Sequence, residues 1–455
     1  MASKAASAVF RSVTAPRNLR RIFEDQVDKK TARGRDGISP EIFRRDAKDS
    51  CHRLSRKLRS GEHDFTQYRE ALKPKGAGKK PRVVSIPTVR DRIALRALAD
   101  VLGQVYPEAR GIIPQIRVEQ VKKELANRRY STFIRLDVEE FYPSLCHEKI
   151  KVRLRRRVRK PEIIDLVLKA IRTPTVPDRA KKRQLQTVGV PQGLAISNIL
   201  AELVATSIDE AMELDDRCFY VRFVDDVLIL CDEENAGDLV EKVIRLFREQ
   251  GLRVHSPSEP DSKSSVGKIE QGFEYLGYWF SDGLTSVRQS SVHKVESALA
   301  RAFTRYARSR GTHLEAVAAA RCKWKVNLII TGCVYKKVSL GWLHYFRQMD
   351  DLTLLKRLDA TLARFKRRFN IGEAFATKNF MRAYWRIRSN EFKSLSGSYI
   401  PNFDMVNIRD MQSLLESVYG REEVAKYSEV EVRRRFHRYI GRAVAELEED
   451  IGFVS

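Results

Sequence analysis

The stretch Arg222–Leu230, "RFVDDVLIL", decides how this chain is read. Two adjacent carboxylates, Asp225 and Asp226, interrupt a run of apolar and β-branched residues that suits a buried strand. Aspartate is common in tight turns, so the longer segment "CFYVRFVDDVLILC" reads as strand, turn, strand. A turn alone would account for the acids. A cation site would account for them equally well, because clustered carboxylates repel one another unless a positive charge lies between them.

A third acid lies upstream. In "YSTFIRLDVEEFYPSL", Thr132, Ile134 and Leu136 share one strand face, and Phe133, Arg135 and Asp137 share the other. Asp137 could be a helix N-cap before "EEFY". Two antiparallel strands could instead bring it to the tip that carries Asp225 and Asp226. Magnesium, with manganese as the alternative, suits carboxylates combined with phosphate oxygens. Two such ions ~3.5–4 Å apart activate an attacking hydroxyl and stabilise a leaving pyrophosphate. Adjacent strand residues point to opposite faces, so Asp225 is expected to be the direct partner of Asp137 and Asp226 the more peripheral acid. The backbone carbonyl of Val138 could add a ligand.

The rest of the chain favours a polyanionic partner. Its 455 residues, 43% hydrophobic and 32% charged, suit two or three globular subdomains. The net charge of +26 points to nucleic acid. No apolar run approaches the ~18 residues that a membrane span needs. The six cysteines form no Cys-x-x-Cys pair, which argues against a zinc ribbon and fits a reducing, cytoplasmic setting. The first 23 residues contain no acid and are rich in Ala, Ser and Arg, as in an organelle transit peptide or a basic arm that touches nucleic acid.

"GRDGIS" (34–39) marks a turn, and "LKPKGAGKKPRVVSIP" a hairpin with Gly76, Ala77 and Gly78 at its tip. "EKIKVRLRRRVRK" reads as a basic helix, "VGVPQGLAISNILAELVATSIDEAMEL" as a loop entering a long helix, and "FEYLGYWF" as one strand. Beyond about residue 290 the pattern is helical and basic. The fold class is therefore α+β: an antiparallel sheet covered by helices, then an all-helical C-terminal part.

Together these segments resemble the reverse transcriptases. "RFVDDVLIL" resembles their Tyr-x-Asp-Asp motif, with Phe223 in the tyrosine position. "LDVEEFYPSL" is similar to their first catalytic motif and "GVPQGLAISNILA" to their Pro-Gln-Gly motif. "KKPRVVSIPTVRDRIALRAL" and "GRDGIS" resemble segments of bacterial group II intron and retron enzymes, and "FEYLGYWF" resembles a primer-grip strand. The resemblance implies a right-hand polymerase: residues 1–70 an N-terminal arm and motif, 71–130 fingers, 131–285 palm with a fingers insertion near 149–187, and 286–455 a helical thumb and C-terminal extension. The bacterial cast of these motifs favours the arm over the transit peptide.

The resemblance also implies roles. Asp137, Asp225 and Asp226 are the catalytic acids, with the Val138 carbonyl among the metal ligands. Tyr142 is a steric gate under the sugar that favours deoxynucleotides, and Gln192 lies near the incoming nucleotide. Lys80 and Arg82 reach its triphosphate, where cations lower the barrier to phosphoryl transfer. Lys263 assists the leaving pyrophosphate. Basic helices, including Arg153 to Lys160, contact backbone phosphates without choosing sequence.

The cysteine-based endonuclease of intron proteins, the Asn-Ala-x-x-His of retrons and an RNase H domain are not recognisable. What remains is similar to the stand-alone "unknown group" enzymes of bacterial antiphage defence. The implied partners are an RNA template, in that group a dedicated noncoding RNA, together with a DNA product, deoxynucleotides and a second copy or accessory protein. A retron or intron-derived mobile element is the alternative, and a catalytically silent RNA-binding scaffold is a third reading.

Overall fold

In the computed structural model, strands and helices alternate through the middle of the chain, as the sequence pattern leads one to expect. The described residues are 6–28, 32–74, 80–177, 184–281, 283–309, 311, 315–371, 375–389 and 399–451. The chain divides into two units, Met1–Ile113 with Tyr130–Gly267, and Pro114–Arg129 with Lys268–Ser455.

In the first unit, β1 (Tyr68–Lys73) and β2 (Arg82–Ile86) pair antiparallel as the arms of the expected hairpin. Its glycine tip, within residues 75–79, lies outside the described residues. β3 (Thr132–Glu139) opens the central sheet, and β4 (Thr175–Val176) runs parallel to β1. β5 (Cys218–Phe223) and β6 (Asp226–Cys231) follow, then β7 (Arg253–Val254) and β8 (Ser265–Lys268). The sheet order is β5-β6-β3-β7, with β8 also on β3. β6 is buried at every position, which explains the apolar run from Val227 to Cys231.

Helices cover this sheet because their apolar residues recur at helical spacing. The helix Ala236–Glu249 buries Leu239, Val243 and Phe247 and is followed by Gly251 at φ +81°. The N-terminal segment is helical from Ala6 and buries Val9, Phe10, Leu19, Ile22 and Phe23 in the same core, where composition alone suggested an arm. The "GRDGIS" turn is present: the Gly37 N–H donates to the Gly34 carbonyl at 3.1 Å, and Ser39 caps the next helix.

The second unit corrects two expectations. "FEYLGYWF" is not one strand but β9 (Phe273–Tyr275) and β10 (Tyr278–Ser281), joined by β11 (Leu284–Val287) in an antiparallel sheet. Leu276 and Gly277, both at positive φ, turn the chain, and apolar neighbours on either side hide that turn in the sequence. Nor is the C-terminal part all helical. β12 (Cys333–Tyr335) and β13 (Val338–Leu340) form a hairpin within it. Its turn residues Lys336 and Lys337, at φ +53° and +63°, donate their N–H groups to the Asp404 carboxylate at 2.7 and 2.6 Å. A partner so distant in sequence cannot be read from local pattern. Among the described residues no helix is long and apolar enough to cross a membrane.

One buried polar cluster ties the N-terminal segments of the first unit together. The Asp91 carboxylate, fully buried, accepts from His63 Nε2 at 3.1 Å and from the Thr66 N–H at 2.9 Å. Burial alone would raise its pKa. The His63 hydrogen bond, the charges of Arg90 and His63 and the Thr66 amide outweigh burial and hold it below the usual carboxylate value. A depressed folded pKa stabilises the fold above the unfolded value of about 3.9, and that contribution fades as pH falls through the folded value. Asp91→Ala is expected to lower the unfolding free energy at neutral pH by about 3 kcal/mol. In urea titrations the gap from wild type should narrow below about pH 3.9; a gap independent of pH would show that the carboxylate charge is not what stabilises.

Candidate active site

The acids meet because two strand pairs share β6. Register sets Asp226 opposite Asp137 across β3 and β6, and opposite Phe223 across β5 and β6. Val224 and Asp225 form the two-residue turn between β5 and β6. Val224 sits at φ +58°, a left-handed conformation that a β-branched residue adopts only at a cost of ~1–3 kcal/mol. Its carbonyl accepts from Arg222 at 2.8 Å. The same guanidinium, fully buried, pairs with Glu202 and Asp209 of the helix Ser197–Glu213, each at 2.6 Å. Burial disfavours its charge, but those two carboxylates keep it firmly protonated. The turn is thereby bolted to the helix behind it.

The two neighbouring acids differ, but not for the reason strand alternation suggested. Asp225 lies in the turn rather than on a strand, and the direct cross-strand partner of Asp137 is Asp226. Asp226 is held on its other side by Arg135, whose Nε and Nη2 meet its two oxygens at 3.0 and 3.2 Å. Asp225 is pushed up to about 6, first by burial and then by the charges of Asp137 and Asp226, with Arg82 opposing. The Asp225 carbonyl accepts from the Val138 N–H at 3.1 Å. In a strand the N–H and C=O of one residue point the same way, so the Val138 carbonyl faces the edge that carries Asp225.

Asp137 is anchored through its backbone. Its N–H donates to Ser264 Oγ at 3.0 Å, and its carbonyl accepts from the His255 N–H at 3.0 Å. Its side chain has Lys263 Nζ at 3.4 Å and His255 Nε2 at 3.8 Å. Lys263 is therefore next to an acid. Tyr142, in the short helix Phe141–Ser144, donates its hydroxyl to Asn198 Oδ1 at 2.8 Å. Burial, then the charges of Asp225 and Glu202, hold that hydroxyl above its ordinary pKa, with Arg82 again opposing. Tyr142, Asp225 and Arg82 thus lie within electrostatic reach of one another.

The Pro-Gln-Gly loop closes one side. The Gln192 carbonyl accepts from the Ser85 N–H of β2 at 2.8 Å, and the Val190 N–H donates to the Tyr142 carbonyl at 2.8 Å. Two glycines make this possible. A Cβ on Gly189 would lie 2.6 Å from the Pro143 oxygen, and one on Gly193, at φ +95°, 2.8 Å from Val84 Cγ1. Lys80 is exposed and has no ion pair among the described residues. The structure therefore gathers Asp137, Asp225, Asp226, Arg82, Tyr142 and Lys263 and binds Gln192 through its backbone.

Sequence reasoning missed Arg222, Arg135, His255 and Ser264. For Arg222 a signal existed: a lone cation in an apolar strand, with Glu202 and Asp209 two helical turns apart on one face of the preceding long helix. For His255 and Ser264 there was none, because only the pairing of β3 with β7 and β8 brings them to Asp137.

Residues 73–280 match the reverse transcriptase (RNA-dependent DNA polymerase) family. The chain is 26% identical over 184 residues to an uncharacterised 91 kDa protein in the cob intron of Schizosaccharomyces pombe, which covers 39% of this chain and 22% of that protein. It is 26% identical over 173 residues to the COX1/OXI3 intron 1 protein of Saccharomyces cerevisiae, covering 36% and 20% respectively. The chain thus spans about a fifth of the length of the curated relatives it matches. Every residue gathered around Asp137 lies inside the matched stretch, and this chain carries a reverse transcriptase domain, the nucleotidyl-transferring domain of RNA-directed DNA polymerases.

Proposed function

We propose that the protein is an RNA-directed DNA polymerase whose site is the cluster around Asp137, Asp225 and Asp226, within a right-hand arrangement of fingers, palm and thumb. The observation that carries this reading is the pairing of β3 with β6, which sets two acids opposite each other and a third at the adjacent turn, inside the stretch that matches the family.

The residues fit a divalent ion. Among the described residues no three His, Cys, Asp or Glu side chains close into a cage. Such a cage is not required, because magnesium is commonly held by one or two carboxylates together with substrate phosphates. Asp137 and Asp225 would be those carboxylates, with the Val138 carbonyl beside them. Asp225 is a buried acid whose charge the protein leaves poorly compensated, which favours a bound cation. Bound there, magnesium would activate a primer 3′-hydroxyl and neutralise the pyrophosphate.

The protein's own groups do the rest. Asp226 is held by Arg135 and braces the register from beside the ion site. Arg82 meets the triphosphate. Lys263, already beside Asp137, stands where the pyrophosphate leaves. The Tyr142 ring, fixed by its hydrogen bond to Asn198, lies under the sugar and excludes a 2′-hydroxyl. The RNA template and DNA product follow from the same reading, as do basic helix faces that hold backbone phosphates.

The biological setting has two readings. The intron proteins of the two yeasts support a mobile-element enzyme acting with intron-type RNA. The antiphage setting, with a dedicated noncoding RNA, rests on motif resemblance. Sequencing the RNA that copurifies from the native host separates them: intron-like RNA supports the first, and a recurrent noncoding transcript the second.

Asp137→Asn with Asp225→Asn is expected to abolish magnesium-dependent deoxynucleotide incorporation on a primed RNA template while leaving RNA binding intact; full incorporation would sink the assignment. Tyr142→Ala should reduce discrimination against ribonucleotides by at least about tenfold, or ~1.4 kcal/mol, measured as a ratio of kcat/KM values; unchanged discrimination removes Tyr142 as the gate. Arg222→Ala strands two carboxylates against the hairpin and should cost about 3–5 kcal/mol of stability. In any fraction that stays folded it should lower kcat more than it raises KM, and a variant with wild-type stability and kcat would show that the turn does not depend on this cation.

A further inference from the structure

Four helices of the second unit pack in a ring: Gln289–Ala307 on Glu315–Thr331, that helix on Ile408–Tyr419, that one on Glu429–Ile451, and the last back on the first. Between them lies a half-open cavity of about 450 Å³. Aliphatic side chains normally fill such a space. Here the lining includes the rings of Tyr306, Trp324, Tyr419 and Tyr439. Trp324 and Tyr439 stand 4.9 Å apart at 42°, and Tyr419 meets Tyr439 edge-on at 6.1 Å. The Trp324 indole N–H has no acceptor among the described residues.

Four cations also line the cavity, and they face the single carboxylate of Glu446. Lys325 uses that carboxylate, at 2.6 Å. Arg321 is held by the Val418 carbonyl and lies 5.8 Å from the Tyr419 ring centre. Arg305 and Arg442 are exposed and make no ion pair among the described residues. Packing alone gives no reason for four rings and surplus cations to line one cavity. Single-stranded nucleic acid does, since bases stack on aromatic side chains while arginines meet phosphates. The volume lies within the ~300–1,000 Å³ of small-ligand pockets.

We propose that this cavity is a binding site for one unpaired nucleotide of an RNA strand, its base against Trp324 and Tyr439 and its flanking phosphates on Arg305 and Arg442. The choice of RNA rests on the polymerase reading above. The cavity belongs to the second unit, so the strand it takes need not be the stretch being copied. A free mononucleotide shares this chemistry, and the test separates the two.

The probe is fluorescein-labelled decauridylate, bound to the full-length protein without deoxynucleotides or divalent ions and followed by anisotropy. A 4-thiouridine version is photo-crosslinked and mapped by mass spectrometry. Crosslinks are expected in the peptides carrying Trp324 or Tyr439. Trp324→Ala should weaken binding about tenfold. Arg305→Glu with Arg442→Glu, both on exposed side chains that leave folding undisturbed, should weaken binding and flatten its salt dependence. Crosslinks confined to other peptides, or wild-type affinity in the double arginine variant, would overturn the proposal. So would competition by UMP at concentrations that match the strand's affinity, which would make this a mononucleotide site. Primer extension by the unmutated protein is scored separately: a crosslink at Trp324 without extension sinks the polymerase reading and keeps the pocket, and extension without that crosslink does the reverse.

Discussion

The buried guanidinium of Arg222 is the constraint on which the candidate site depends. It satisfies two carboxylates from one helix and the carbonyl of a residue in an unfavourable backbone conformation. A buried ion cluster of this kind adds little net stability compared with a well-packed apolar substitute. What it supplies is position. An apolar residue at 222 could pack against the helix but could not grip the carbonyl of Val224, which sits in a conformation unfavourable for a β-branched residue. The tip carrying Asp225 is therefore fixed by this charge as well as by the turn itself.

From that fixed point the acids acquire different characters. Asp226 belongs to a bidentate pair with Arg135 and is largely neutralised within the protein. Asp225 has no such pair among the described residues and is raised by burial and by its acidic neighbours. Asp137 lies between these cases, with a lysine and a histidine nearby but neither in tight contact. A graded set of this kind lets a cation bind to part of the cluster while the remainder stays structural. The glycine-bearing loop around Gln192 contributes in another way, by letting backbone come close enough to β2 and Tyr142 to leave little slack around Arg82.

Much of this was legible in the sequence because it is local. The hairpin at Asp225, the alternation along β3, the loop before the Ser197–Glu213 helix and the Gly251 stop all follow from periodicity and turn chemistry over a few residues. What was not legible depends on distant partners. Strand alternation could not rank Asp225 and Asp226, because one of them is not on a strand. The β9–β10 turn was hidden by apolar residues on both sides, with Gly277 its only sign. The β12–β13 turn is stabilised by Asp404, and the contacts of Asp137 come from β7 and β8. In each case the missing information is a pairing across many residues, which composition and spacing do not encode.

The segment Pro114–Arg129 leaves the first unit, joins the second, and returns. Its helix spends Lys122 on Asp350 and Gln115 on the Tyr345 carbonyl, contacts made more than two hundred residues away. Neither unit is thus a continuous piece of chain, and no single break between residues 267 and 268 frees one from the other. A gene fragment ending there would encode a helix whose partners are never made. The second unit thus depends on a helix encoded inside the first.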